Sequence, residues 1–326
     1  MRALIPVAGE GTRLQPHTHT HPKPLLNVAG KPIISHIMDI ILYAGVDDIV
    51  FITGYLGEKL ERYLRKSYDI PMTFIKQEER LGIAHAVYMA KEHIRGEPVF
   101  IVLGDTIFDA DVKSVFEGAK NALGVREVKN PSRFGIVVVE NGRVVELTEK
   151  PEKPRSNLAI AGLYNIVETD LLLDSIEMLI KKDIRTKGEY QITDALQEMV
   201  NRGSHIETFF LEGWYDCGNA QSMLNTNRSL LDRNGSFILG RLNETVIIDP
   251  VAIADGSVIE RSIIGPFVTV GGGTVIRDSR IRDAVIGREA ELDNVILEQS
   301  LVGHNATLTG RFVRLNVGDS SELEIG

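Results

Sequence analysis

The chain has 326 residues, enough for two domains that each bury a core, and carries 36 Lys plus Arg against 45 Asp plus Glu, a net charge of −9. An acidic balance with no block of like charge argues against nucleic-acid and anionic-membrane partners. The lone Cys217 excludes an internal disulfide, no run is long enough to span a membrane, and Met1-Arg2 leads into a strand, so a soluble cytoplasmic protein is expected.

The apolar run Ala3-Leu4-Ile5-Pro6-Val7 reads as a buried first strand. It opens into Ala8-Gly9-Glu10-Gly11-Thr12-Arg13-Leu14 and, after a polar loop, Pro22-Lys23-Pro24-Leu25-Leu26. Glycines after a buried strand let backbone N–H groups approach phosphate oxygens, and Arg13 and Lys23 add two cations, so phosphate is the natural ligand. A dinucleotide fingerprint would need glycine at Leu14, and a Walker A loop would need Gly-Lys-Ser/Thr at its end. On Gly-x-Gly alone, a simple turn with solvated charges stays open. His17, His19 and His21 alternate along this loop with no Cys or carboxylate beside them, which favours a closing lid over a transition-metal site.

Short β-rich runs then alternate with helical ones. Gly30-Lys31-Pro32 introduces an apolar helix through Ile33, Ile37, Ile40, Ile41 and Ala44, stopped by Gly45. Strands are expected at Ile49–Thr53, Met72–Ile75 and Val99–Leu103, with helices at Glu58–Lys66 and Ala84–His93. Such alternation predicts a parallel sheet, whose ligands bind beyond the carboxyl ends of the strands. Two of those ends are informative. Gln77, after the Met72 strand, offers an amide suited to a base edge, and Gly82 opens the next helix. Asp105, in Gly104-Asp105, leaves a wholly apolar strand where a metal-bound phosphate would sit, although a helix-capping role fits an isolated Asp equally. Asp109 and Asp111 read as loop or cap residues.

Between 120 and 165 the pattern turns to strands (122–129, 135–140, 143–149, 158–167) with an Asn141-Gly142 hairpin turn, an antiparallel or mixed extension walling the cleft. Farther on, Gly188-Glu189-Tyr190-Gln191-Ile192-Thr193-Asp194 precedes an amphipathic helix that Thr193-Asp194 is expected to cap, and a strand at 206–211 leads into Trp214-Tyr215-Asp216-Cys217-Gly218. From Ile247 onward apolar residues recur six apart (Ile247, Ile253, Ile259; Ile264, Val270, Ile276; Ile286, Leu292; Ile296, Val302, Leu308; Val317, Leu323) with Gly, Ala or Asp often following. Hexapeptide periodicity predicts a parallel β-helix, at roughly eighteen residues per coil and about four coils, with residues missing or added at corners where the phase slips.

In this order, Gly9-Glu10-Gly11-Thr12-Arg13 with Lys23-Pro24-Leu25, Gln77 with Gly82, Gly104-Asp105, Phe134-Gly135, Glu149-Lys150-Pro151, Ala161-Gly162, Gly188-Glu189 and Trp214-Tyr215-Asp216 resemble the sugar-1-phosphate nucleotidyltransferases. The resemblance implies an α/β, Rossmann-like mixed-sheet (GT-A-like) catalytic domain over residues 1–235, then a left-handed parallel β-helix over 236–326. It places Ala8, Gly9, Gly11, Thr12, Gln77 and Gly82 on the nucleotide and Gly135, Glu149, Lys150, Gly162 and Glu189 on the sugar phosphate. Arg13, Lys23 and Lys150 become the catalytic cations, and Asp105 and Asp216 the ligands of Mg²⁺; Cys217 stands where Thr or Ile is commoner in the family. The implied substrates are dTTP or UTP and a sugar 1-phosphate, glucose 1-phosphate foremost. A mannose-1-phosphate guanylyltransferase shares several of these motifs. An acetyltransferase second activity with His304 as base is disfavoured by the short repeat region, and a non-catalytic subunit by the intact charged set. Self-association through the β-helix is expected.

Overall fold

The computed structural model describes residues 1–310; Val317 and Leu323 of the hexapeptide series lie outside the described residues. Contacts divide the chain into two units, Met1–Leu26 with Lys31–Thr226, and Asn27–Gly30 with the chain from Asn227 onward.

The first unit is built on a nine-stranded mixed sheet. Its first half is the expected βαβ alternation: β1 (Arg2–Val7), then, beyond the two-residue strands β2 (Asn27–Val28) and β3 (Lys31–Pro32), α1 (Ile33–Tyr43), β4 (Asp48–Thr53), α2 (Gly57–Ser67), β5 (Met72–Lys76), α3 (Ile83–Met89), α4 (Lys91–Ile94) and β6 (Val99–Val102). β5, β4, β1 and β6 lie side by side and parallel. The Val, Ile and Leu residues of β4, β1 and β6 are buried because helices cover both faces, while the edge strand β5 is half-buried. Gly45, at φ 91°, ends the first helix as its sequence position suggests. The helix expected at 84–93 comes in two pieces. The Ala90 N–H bonds to the Val87 carbonyl three residues back and the His93 N–H to that of Ala90, tight turns that interrupt the α-helical ladder.

The second half is antiparallel where the sequence turns strand-rich. After β7 (Thr106–Asp109) and α5 (Val112–Glu117), whose first turn Asp111 caps through the Ser114 N–H, come β8 (Asn121–Glu127), β9 (Gly135–Glu140), β10 (Arg143–Glu149) and β11 (Leu158–Ile166). β9 and β10 are joined at Asn141 and Gly142, with φ 51° and 78°, the double positive φ of a tight hairpin. β11 runs antiparallel to β6 and so joins the two halves. α6 (Thr169–Lys181), α7 (Ile192–Asn201), β12 (Ile206–Phe210), β13 (Gly213–Asp216) and α8 (Ala220–Asn234) follow. α7 starts at Ile192, so Thr193 and Asp194 lie inside its first turn and do not cap it; the Thr193 hydroxyl is drawn instead to Glu149, at 2.8 Å.

The second unit is a parallel β-helix. One face stacks 237–238, 251–253, 268–270, 284–286 and 300–302; the next stacks 241–243, 258–260, 275–277, 291–293 and 307–309; the third stacks 246–247, 263–264, 280–281 and 296–297. Val251 pairs with Val268, 17 residues on, and Val268 with Ala284, 16 on, so the coils are shorter than three full hexapeptides and the sequence phase slips. Inward Ile259, Ile276 and Leu292 stack directly over one another, each at most 1% exposed. Replacing Ile276 by Ala leaves a void between two neighbours that cannot close over it. The expected loss is about 2–5 kcal/mol in denaturant unfolding of the β-helix; a loss below about 1 kcal/mol would show that the stack relaxes around the gap.

Candidate active site

Three loops leave the carboxyl ends of β1, β5 and β6, and they line one cavity of about 340 Å³. From the first come Ala8, Gly9, Gly11, Thr12, Arg13 and Lys23; from the second Gln77 and Gly82; from the third Asp105. Glu189 closes the rim, and Arg80, Gly104 and Gly218 add to the lining.

The glycine loop folds as the short 3-10 turns Thr12–Leu14, His17–His19 and Lys23–Leu25. Gly11 takes φ +66°, and a Cβ there would meet Thr18 Cγ2 at 3.0 Å and Lys23 Cβ at 3.1 Å, so glycine is required for the turn to close. The Thr18 hydroxyl donates to the Gly11 carbonyl at 2.9 Å. Lys59 Nζ donates to Thr20 O at 2.7 Å and Tyr55 Oη to His19 O at 3.2 Å, tying the outer loop to α2 and its approach. Burial lowers the His17 and His21 pKa values, and among the described residues no group of three His, Cys, Asp or Glu is placed to hold a metal.

Lys23, its side chain only 8% exposed, donates to Asp105 Oδ2 at 2.9 Å. The Thr106 hydroxyl donates to Oδ1 at 3.2 Å. Loss of solvent pushes the Asp105 carboxyl up, but Lys23, Thr106 and Arg13 outweigh it and hold the pKa below the ordinary aspartate value. β13 pairs with β7 so that Asp216 lies opposite Thr106, and Cys217 N–H donates to the Asp105 carbonyl at 3.4 Å. The two acidic residues are thus neighbours. Asp216 is exposed, with Oδ1 accepting the Gly218 N–H at 2.8 Å. Cys217 is fully buried, and burial pushes its thiol up to about 12.

Gly135, Glu149, Lys150, Gly162 and Asp216 lie outside the lining of the cavity, as a second group beside it. Glu149 accepts the Thr193 hydroxyl on Oε2 and pairs with Lys150 Nζ through Oε1 at 3.3 Å. A Cβ on Gly135 would stand 2.9 Å from both Glu149 Oε2 and Thr193 Oγ1, so the glycine leaves room for that contact. Gly162, at φ +84°, gives its carbonyl to the Leu103 N–H at 2.9 Å, two residues before Asp105. Trp214 packs edge-on against Phe134 with ring centroids 5.0 Å apart, joining the Asp216 strand to the Gly135 turn. Gly82, at φ +106°, lies where a Cβ would be 2.5 Å from Tyr190 O, and this approach seats Glu189 on the cavity rim.

The structure adds partners that the sequence motifs do not announce. Thr193 holds Glu149, Thr106 holds Asp105, and His85 meets the Gln77 amide at 3.0 Å. Thr106 and His85 each adjoin or follow a motif residue, but only strand register and helix position reveal whom they touch.

Two outcomes follow. Because the Asp105 pKa is lowered in the fold, its contribution to stability is present above the unfolded aspartate pKa and is lost as the pH falls through the folded one. Lys23→Met removes the largest lowering influence, so the Asp105 carboxyl should titrate higher in a site-resolved NMR titration; an unchanged value would show that Arg13 and Thr106 suffice. Cys217 should resist thiol reagents at neutral pH until the chain is unfolded, since the thiolate is the reactive form; labelling of native protein at the unfolded rate would contradict the burial.

A profile described as nucleotidyl transferase matches residues 2–233. A glucose-1-phosphate thymidylyltransferase of Streptomyces antibioticus is 32% identical, covering 100% of this chain and 99% of its own. A low-salt glycan biosynthesis nucleotidyltransferase, Agl11, of Haloferax volcanii is 31% identical over 100% of both chains. A bifunctional GlmU protein of Methanocaldococcus jannaschii is 36% identical over 79% of this chain, which spans 61% of that protein. The fold is shared with a solved UDP-glucose pyrophosphorylase at a TM-score of 0.63 and 24% identity, over 71% of this chain and 98% of that one. With the family profile matching residues 2–233 and a relative 32% identical along the whole chain, the chain belongs to the nucleotidyl transferase family.

Proposed function

We propose that the chain transfers a nucleotidyl group from dTTP or UTP to a sugar 1-phosphate, glucose 1-phosphate foremost, releasing pyrophosphate. The observation that carries this reading is that the glycine loop, both of its cations, Gln77 and Asp105 converge on one cavity at the carboxyl ends of parallel strands. The glucose-1-phosphate thymidylyltransferase that matches this chain end to end supports the substrate class, and the second full-length relative the nucleotidyl transfer.

In this reaction a sugar-phosphate oxygen attacks the α-phosphorus, the bond from that phosphorus to the bridging oxygen breaks, and pyrophosphate leaves with the electron pair. The nucleophile is already an anion, so no general base is needed; alignment and charge neutralisation supply the rate. In this reading Arg13 holds the leaving pyrophosphate, Lys23 meets the charge growing at the α-phosphorus, and Lys150 holds the sugar phosphate. Glu149 and Glu189 accept from sugar hydroxyls. The backbone N–H groups of Gly9, Gly11 and Thr12 cradle the triphosphate beside Ala8, while Gly82 lets the base lie against the start of α3 and Gln77 reads its edge. Gly135 and Gly162 keep the sugar wall open.

Family membership implies a divalent cation, and in this reading the hard carboxylates of Asp105 and Asp216, which come from paired segments of chain, would hold Mg²⁺, with phosphate oxygens left to complete the shell. Bound there, the ion would neutralise the α-phosphate and the incoming phosphate together. Self-association through the β-helix belongs to the same reading. It is supported by Val246, Ile263 and Ile296, stacked in one column with Arg280 and 57%, 38% and 85% exposed; sedimentation of the full chain tests it.

The deciding measurement is pyrophosphate release across a matrix of sugar 1-phosphates and nucleoside triphosphates. Release with glucose 1-phosphate and dTTP or UTP is expected, abolished by chelation and restored by Mg²⁺. Release only with mannose 1-phosphate and GTP would keep the chemistry and change the base, and no release with any pair would end the reading. Lys23→Ala and Asp216→Ala should each lower kcat by about 10²–10³-fold, the usual effect of removing one transition-state charge contact.

A further inference from the structure

Gln77 lies on the cavity wall, 6% exposed, and its side-chain Nε2 stands 3.0 Å from His85 Nδ1. His85 itself does not line the cavity; it sits behind the glutamine in α3. Both ends of this contact are anchored in the backbone. The Gln77 N–H donates to the Thr53 carbonyl at 2.8 Å, and the Ala84 N–H, next to His85, donates to the Tyr190 carbonyl at 3.0 Å. An amide nitrogen can only donate, so Nδ1 accepts and the ring carries its proton on Nε2. Burial lowers the imidazole pKa against the upward pull of Glu79, which keeps the ring neutral and Nδ1 free to accept.

With one N–H given to His85, the amide has its carbonyl oxygen and its second N–H left for a ligand, in a fixed order. Building on the nucleotide site proposed above, we propose that His85 is a positioning residue that locks the Gln77 amide so that the site accepts bases with a keto edge and rejects bases with an amino edge. Uracil and thymine present N3–H beside O4, and guanine N1–H beside O6, each matching an acceptor beside a donor. Cytosine, and likewise adenine, presents the reverse pattern, so in the same pose it would face donor with donor and acceptor with acceptor. Only a flipped amide would suit it, and the flip would set Oε1 against the unprotonated Nδ1, at the cost of that contact or of a change of ring tautomer.

The test is equilibrium binding of UTP and of CTP to the full chain, by calorimetry, for wild type, His85→Leu and His85→Glu. Wild type should prefer UTP by roughly ten- to a hundredfold, the discrimination of one bidentate base contact. His85→Leu removes the acceptor and should bring the ratio down about tenfold, chiefly by strengthening CTP. His85→Glu, whose carboxylate only accepts, should keep the preference. A preference that survives in His85→Leu, or is lost in His85→Glu, overturns the lock and leaves the nucleotide site standing; failure of wild type to bind either nucleotide overturns the site and the lock together. Nitrogen NMR of the wild-type histidine gives a check that needs no variant: a protonated Nδ1 refutes the proposal.

Discussion

The contact between Lys23 and Asp105 depends on how closely the ends of β1 and β6 approach. A lysine 8% exposed is costly to bury without a partner, so the loop after β1 and the peptide after β6 must be brought together. Gly104 makes this possible: its N–H donates to the Pro6 carbonyl at 3.2 Å, and a Cβ there would fall 2.2 Å from Val7 Cγ1. Three successive residues then tie three regions to one short peptide. Leu103 binds the Gly162 carbonyl, Gly104 the Pro6 carbonyl, and the Asp105 carbonyl accepts from Cys217. The Gly162 strand, the end of β1 and the peptide after Asp216 are all tied to residues 103 to 105.

That dependence explains what was legible in the sequence. Apolar runs and glycine stops revealed the parallel half-sheet, since its inner strands are buried on both faces and its turns need left-handed backbone at positions such as Gly45 and Gly11. Many of the candidate residues were legible as motifs because they sit in loops at strand ends, as Gln77 and Asp105 do, where the chain is freer of packing duties. Contacts across the fold were not. Thr193 reads as a helix cap because it stands before an amphipathic run, yet its hydroxyl goes to Glu149, 44 residues away. The coil length of the β-helix was also hidden: a six-residue period fixes which residues point inward, while the corners absorb the deficit that shortens coils to 17 and then 16 residues.

The charge of the whole chain opposes an anionic ligand. A net charge of −9 repels a triphosphate at long range, but exposed charges more than about 10 Å away are largely screened at physiological salt. Closer in, the local set of charges matters more. Arg13 and Lys23 line the cavity together, with Lys23 desolvated enough to interact strongly and anchored so that it pays little ordering entropy when a ligand arrives. An acidic surface with a few fixed cations inside favours a small polyanion that can enter the cavity over a long one that must lie across the surface.

Three titratable groups near the cavity, Cys217, Tyr164 and Asp105, are each held in one charge state. Burial raises Cys217 to about 12 and also raises Tyr164, which keeps both neutral, while Lys23 and Thr106 keep Asp105 ionised. None of these groups is poised to exchange a proton near neutral pH, as a general base would have to be. Transfer of a nucleotidyl group to a phosphate oxygen makes no such demand, because the nucleophile arrives deprotonated. A site that fixes its charges suits that chemistry: its ionised side chains are oriented before the substrates bind, and positioning is what remains for the fold to supply.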